Sequence, residues 1–171
     1  ADENADDTSV EPPLADGWCA VISQKIPSGG QHISELIKKQ VLTPSSAEPY
    51  LSALEKMEQA EKSFFGDVTN PLFSWNCETI AQTFRNAGFA VESAVQTVEE
   101  KRRITLTEIR RWFDTKTSAY GTRMLEAVGA FELQKLITLL ENASANAIFS
   151  WKTETAYFTV RVPKAENKPD N

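Results

Sequence analysis

Between Trp75 and Val91 the hydrophobic pattern changes period within a few residues. Ile80, Ala81, Phe84 and Ala87 recur at helical spacing, and Asn76 stands ahead of them as an N-cap able to accept from the first turn's amides. Gly88 follows at the position where a helix end turns left-handed at little steric cost. Phe89 and Val91 then open an alternation of period two, which predicts a strand over residues 89–99. A helix, a one-glycine stop and a strand with almost no loop belong to a layered arrangement of helices on a sheet.

The same reading extends in both directions. Trp18-Cys19-Ala20-Val21-Ile22-Ser23 is a short apolar run that predicts a strand covered on both faces, ended by Lys25-Ile26-Pro27-Ser28-Gly29-Gly30. A helix is expected over residues 31–40, with Ile33, Leu36 and Ile37 on one side. Ser45 and Glu48, between Pro44 and Pro49, have capping-box spacing, and Tyr50, Leu54, Met57 and Phe64 continue at helical spacing until Gly66. Downstream, Thr105 and Glu108 form a second capping box before Ile109, Trp112 and Phe113. Ser118 caps a further helix ending near Gly129, and Leu133, Leu136, Ile137 and Leu140 stripe a third. Residues 104–143 therefore read as a helical insertion. The runs 147–151 and 155–162, the latter alternating through Ala156, Phe158, Val160 and Val162, read as β structure. The fold class predicted is α/β, with three to four strands in one sheet, the last antiparallel.

Composition narrows the function classes. The 171 residues suit one domain, 41% of them are hydrophobic, mean hydropathy is -0.36, and no apolar run approaches the ~20 residues of a bilayer span. No membrane partner is expected, and the location predicted is cytoplasmic. A net charge of -6 and a pI near 4.9 disfavour a general polyanion binder. Much of the acidity is in the lead, where Asp2, Glu3, Asp6, Asp7, Glu11 and Asp16 flank Pro12 and Pro13, so residues 1–16 are expected to be disordered. The same holds for the polar tail, 163–171. Cys19 and Cys77 are far apart without a second ligand pair and read as two buried thiols, and His32, the sole histidine, lacks partners for a metal site. No metal and no catalytic residue are predicted.

Two features bear on chemistry. Ser28-Gly29-Gly30 leads from a strand into a helix, where backbone amides can line a ligand, although a plain turn is the simpler reading. Lys101, Arg102, Arg103, Arg110 and Arg111 gather around Trp112 and Phe113, a mixture that grips phosphate and stacks bases, while Glu99, Glu100 and Glu108 lie among them and oppose that field. A contact with DNA or a protein, or a solvated salt-bridged face, are the two readings.

The order of a strand, Ile26-Pro27-Ser28-Gly29-Gly30-Gln31, a helix, the Asn86-Ala87-Gly88-Phe89 helix end, a strand and a final aromatic strand resembles the C-terminal half of class I S-adenosylmethionine-dependent methyltransferases. More narrowly, Ile26 to Gln31, the stretch around Arg103-Ile104-Thr105 and Ile109-Arg110-Arg111-Trp112-Phe113, and Trp151-Lys152-Thr153 look like the methyltransferase-like domain fused to bacterial replication-associated recombination AAA+ ATPases. The resemblance covers residues 17–162 and implies a partial Rossmann-like sheet cut from a longer polypeptide. It also implies that Ser23, Gln24, Gln31 and His32 rim a substrate pocket, and that the parent uses S-adenosylmethionine and ATP with Mg. The family's cofactor glycines and ribose-binding carboxylate have no counterpart here, nor does a Walker glycine loop, so this stretch is expected to carry no cofactor itself. Its expected partners are the remainder of the parent polypeptide and DNA or a replication protein. The function that follows is a non-catalytic accessory or interaction domain; the alternative is the substrate-side half of an active methyltransferase.

Overall fold

The computed structural model describes residues 17–163. The expectations for 1–16 and for 164–171 lie outside them. Three strands, β1 (Cys19–Lys25), β2 (Ala90–Arg102) and β3 (Phe149–Arg161), form one open sheet in the order β1-β3-β2, and both pairings are antiparallel. The strand formed last in sequence therefore lies in the middle. The elements between are α1 (Ile33–Leu36), which continues as a π turn (Ile37–Val41), then α2 (Leu51–Phe65), α3 (Cys77–Asn86), α4 (Leu106–Phe113), α5 (Ala119–Val128) and α6 (Ala130–Ser144). No described helix is long and apolar enough to cross a membrane.

Because side chains alternate along a strand, β3 presents two different faces. Its front face carries Ser150, Lys152 and Glu154 at the lower end and buried Ala156, Phe158 and Val160 at the upper end. Ala81 of α3 is buried against this upper part, with Ile80, Phe84, Phe89 and Val91 packed around it. The rear face carries Phe149 and Trp151 at the lower end, and Phe149 is buried in a larger core built by α1, α2 and α4–α6. Leu54, Met57, Leu136 and Leu140 of that core are fully buried, each contributing roughly 1.5–3 kcal/mol. One strand thus serves two cores, from opposite faces and at opposite ends.

Local chemistry sets most boundaries. Asn76 Oδ1 accepts from Thr79 N at 2.9 Å while Asn76 N donates to Thr79 Oγ1 at 2.9 Å, closing a reciprocal cap on α3. Gly88 takes φ +91°, and Phe89 N returns to Phe84 O at 3.1 Å, which delivers the chain to β2. The Thr105 and Glu108 box forms on α4, and Ser118 Oγ accepts from Gly121 N at the start of α5.

Several expectations are corrected. The Ser45 and Glu48 box does not form: Ser46 Oγ bonds to Thr43 instead, Pro49 directs a 3-10 turn over Glu48–Tyr50, and α2 begins at Leu51 without a side-chain cap. The first helix starts at Ile33 rather than Gln31, because His32 is still extended at φ -82°, ψ 138°. β1 is an edge strand with an uncovered rear face, on which Val21 is 74% exposed, so it is not covered on both faces. The thiols are not both buried, since Cys19 is exposed on that face and Cys77 half-buried, and both are free.

Candidate functional site

The expected substrate rim is not assembled. Ser23 pairs with Tyr157 and lies on the rear face, whereas Gln24 pairs with Ala156 and lies on the front, so a pleat separates them. His32 is drawn into the helical core's margin, its ring stacked on Phe65 at 5.1 Å with Nε2 buried and unpartnered among the described residues. The Ser28-Gly29-Gly30 turn lies close against β3: a Cβ on Gly29 would come within 2.9 Å of Glu154 Cβ, and Ile26 N donates to Glu154 O at 2.8 Å.

Gln31 and Gln40 have a different task. β1 stops opposite Thr155, leaving the lower part of β3 without a strand on that side. Gln40, set by the π turn, accepts from Ser150 N at 2.7 Å and donates to Ser150 O at 2.7 Å, reproducing with one carboxamide the bonds of a neighbouring strand. Gln31 Oε1 accepts from Lys152 N at 3.3 Å while its Nε2 donates to His32 O at 2.9 Å. Side-chain amides thereby complete this sheet edge. A π turn is a less common hydrogen-bonding arrangement that recurs at functional sites, and here it aims Lys39 and Gln40 toward the front of the sheet.

Between that turn and the strands lies a cleft of about 360 Å³ lined by Gln31, Glu35, Lys39, Gln40, Glu99, Lys101, Ser150 and Lys152. Lys39 Nζ donates to Glu35 Oε1 at 2.6 Å, which holds the Glu35 carboxyl below its ordinary range, and Lys152 adds a smaller through-space pull. Glu99 stands directly across from Lys152, yet its carboxylate accepts from Ser150 Oγ at 3.1 Å. Neither Lys101 nor Lys152 has a carboxylate at ion-pair distance among the described residues. The cleft holds three ammonium groups against two carboxylates and is cationic in an acidic chain.

The basic cluster around Trp112 is divided. Lys101 pairs with Ser150 on the front face, in the cleft. Arg102 is on the rear: its guanidinium lies 4.6 Å over the Trp151 ring, Trp151 stacks on Trp112 at 5.7 Å, and Glu108 bonds to the same guanidinium. Glu108 is held low in pKa first by the Thr105 amide and further by Arg102. Arg110 is tied to Glu141 at 3.1 Å, while Arg103 and Arg111 are exposed. The sheet thus separates Lys101 from Arg102, and Arg102 and Arg110 are each paired with a glutamate.

β2 supplies the other notable surface. It lies at the second edge of the sheet, no described element pairs with its outer side, and residues 92–101 are all exposed. Its centre, Ser93-Ala94-Val95-Gln96-Thr97-Val98, has no charge, proline or glycine, the devices that usually blunt an edge. Val95 and Val98 are 49% and 42% exposed on its front and rear faces. Glu35, Lys39, Gln40 and Ser150 were not singled out by the sequence, while Glu99 entered only as a neutralising neighbour of the basic cluster and Lys152 only within the Trp151-Lys152-Thr153 stretch. The one available signal was the pair of alternating polar residues in each strand, Glu99 with Lys101 and Ser150 with Lys152.

No group of three or more His, Cys, Asp or Glu side chains able to hold a metal occurs among the described residues. Comparison with protein-family models, with curated proteins and with solved structures found no match.

Proposed function

We propose that this chain is a non-catalytic interaction domain that receives an extended polypeptide segment along the outer edge of β2. The contrast between the two sheet edges carries this reading. On one side β1, Gln31 and Gln40 satisfy β3 almost to its end; on the other, no described element pairs with the outward amides and carbonyls of a strand of 13 residues. Such an edge is a template on which a peptide gains main-chain hydrogen bonds, with alternate side chains supplying selectivity. The uncharged centre of β2 suits β-branched neighbours opposite Val95 and Val98.

The methyltransferase-like alternative, with S-adenosylmethionine in a parent enzyme, also expects an antiparallel last strand, so the pairing of β3 does not separate the two readings. The separation of Ser23 from Gln24 and the commitment of Gln31 to the β3 edge favour the interaction reading. Panning a random-peptide library against the chain, followed by amide exchange of the complexes, tests the proposal. Selected peptides should slow the fast-exchanging outward amides between Ser93 and Val98. Failure to select any peptide, or protection confined to the helices, would overturn it.

A further inference from the structure

We propose that the cleft seats a phosphoryl group carried by the strand that pairs with β2, so that the domain recognises a phosphorylated extended peptide; this inference rests on the edge-pairing reading above. A strand added to β2 sets every second side chain on the front face, alongside Thr97, Glu99 and Lys101. Lys101 is the first cation such a side chain meets. Lys152 stands one strand further in, at roughly 5 Å per strand, a separation that a lysine's four-carbon stem can bridge.

The charge arrangement selects the ligand class. Glu35 is matched by Lys39, and the Ser150 hydroxyl orients Glu99 without cancelling its charge, so the cleft has one cation in excess; among the described residues Lys101 and Lys152 have no carboxylate at ion-pair distance and are the ammonium groups left to meet a ligand. A phosphoryl group brings a charge of about -1.5 to -2 and three acceptor oxygens, so it matches two cations in charge where a carboxylate brings a single unit. The amides of Gln31 and Gln40 are committed to the β3 edge and to His32, which keeps the cleft walls fixed while the lysine heads remain adjustable. A chain of net charge -6 repels polyanions at long range, so recognition has to be local and paired with main-chain contacts. That combination fits a singly phosphorylated peptide better than a nucleic-acid backbone.

The test uses the full chain, a short Val/Thr-rich peptide carrying one phosphoserine, its unphosphorylated twin, inorganic phosphate and single-stranded DNA, followed by amide NMR. Inorganic phosphate should shift the signals of Lys101, Ser150 and Lys152. The phosphopeptide should bind at least about tenfold more tightly than its twin, a difference that charge-assisted bonds to two cations can supply. In a folded Lys101→Met, Lys152→Met double variant that advantage should vanish while the twin's binding to β2 persists. Equal binding of the two peptides, or phosphate shifts confined to Arg103 and Arg111, would overturn the inference and leave the edge reading standing. If neither peptide binds but inorganic phosphate still shifts the cleft, the edge reading fails and the peptide assignment falls with it. Single-stranded DNA binding more tightly than the phosphopeptide, and lost in the double variant, would replace the peptide by nucleic acid.

Discussion

Glu61 is fully buried, and its carboxylate is a junction of three elements. It accepts from Ile33 N at 2.8 Å, from the amide and hydroxyl of Ser34 at the start of α1, and from Tyr120 Oη of α5 at 2.6 Å. Burial, with Glu61 alongside, pushes the Tyr120 phenol well above its ordinary pKa, so it remains a donor. Glu61→Ala would strand these donors at roughly 1–3 kcal/mol each, and the urea midpoint should report a loss of at least about 3 kcal/mol. Tyr120→Phe removes one bond to a charged acceptor and should cost about 1.5–3 kcal/mol. An Ala variant milder than the Phe variant would refute this account. The position was legible in part: Glu61 follows Leu54 and Met57 on the apolar stripe of α2, where a carboxylate needs a partner, but its donors lie 27 to 59 residues away in sequence. A second carboxylate, Glu58, is held by Lys38 and Lys62 at a pKa of about 2, against an ordinary 4.5. Depressed in the folded state, it contributes stability that is present above pH 4.5 and lost as pH falls toward 2. It is a third exposed, which limits its worth through solvent screening. Acid titrations should show the difference in stability between the native chain and Glu58→Gln shrinking across that window; a constant difference would exclude the linkage.

At the level of elements, most of what depends on neighbours in sequence was readable, the Ser45 and Glu48 box excepted, and what depends on strand register was not. The caps at Asn76, Thr105 and Ser118 are interactions over three residues, and all three form. The turn at Gly88 is equally local. With φ at +91° and open space around its Cβ position, Gly88→Ala meets backbone strain and no clash, so a loss of about 1 kcal/mol is expected by thermal unfolding. A neutral result would mean that the junction relaxes. The split of Ser23 from Gln24, and of Lys101 from Arg102, follows from the pleat once β1 and β2 reach Lys25 and Arg102, whereas which partner each of them meets across the sheet is set by register. Periodicity reveals alternation but not the phase between strands 47 or more residues apart. Gln40 shows the same limit, since nothing near it in sequence indicates that it stands in for a strand. Gln40→Ala should cost about 1–2 kcal/mol through two lost bonds to Ser150, and should speed exchange at the Ser150 amide without disturbing that of Phe158. Unaltered exchange at Ser150 would show the edge to be held otherwise.

For the whole molecule, the two cores are unequal. The α3 side buries Ile26, Ala81, Ala156, Phe158 and Val160, while the helical side buries three times as many apolar residues, from Ile33 to Phe149. The smaller core should open first, so Phe158→Ala should release α3 and the upper sheet to exchange at denaturant levels that leave α6 protected. Simultaneous release of both would show a single cooperative unit. One sheet with an antiparallel last strand was expected from the sequence and is found, among mixed helices and strands; that β3 lies between β1 and β2 depends on where the last strand inserts, which short motifs do not encode. The placement of β3 has a further consequence for how this gene tolerates change. Residues 150–155 act as a spacer whose parity matters more than its composition. Loss or gain of a single codon there would turn either Phe149 or the Ala156, Phe158 and Val160 set outward, whereas a change of two codons would keep both facing inward and merely slide the cores along one another. Natural length variants of this segment should therefore differ by even numbers.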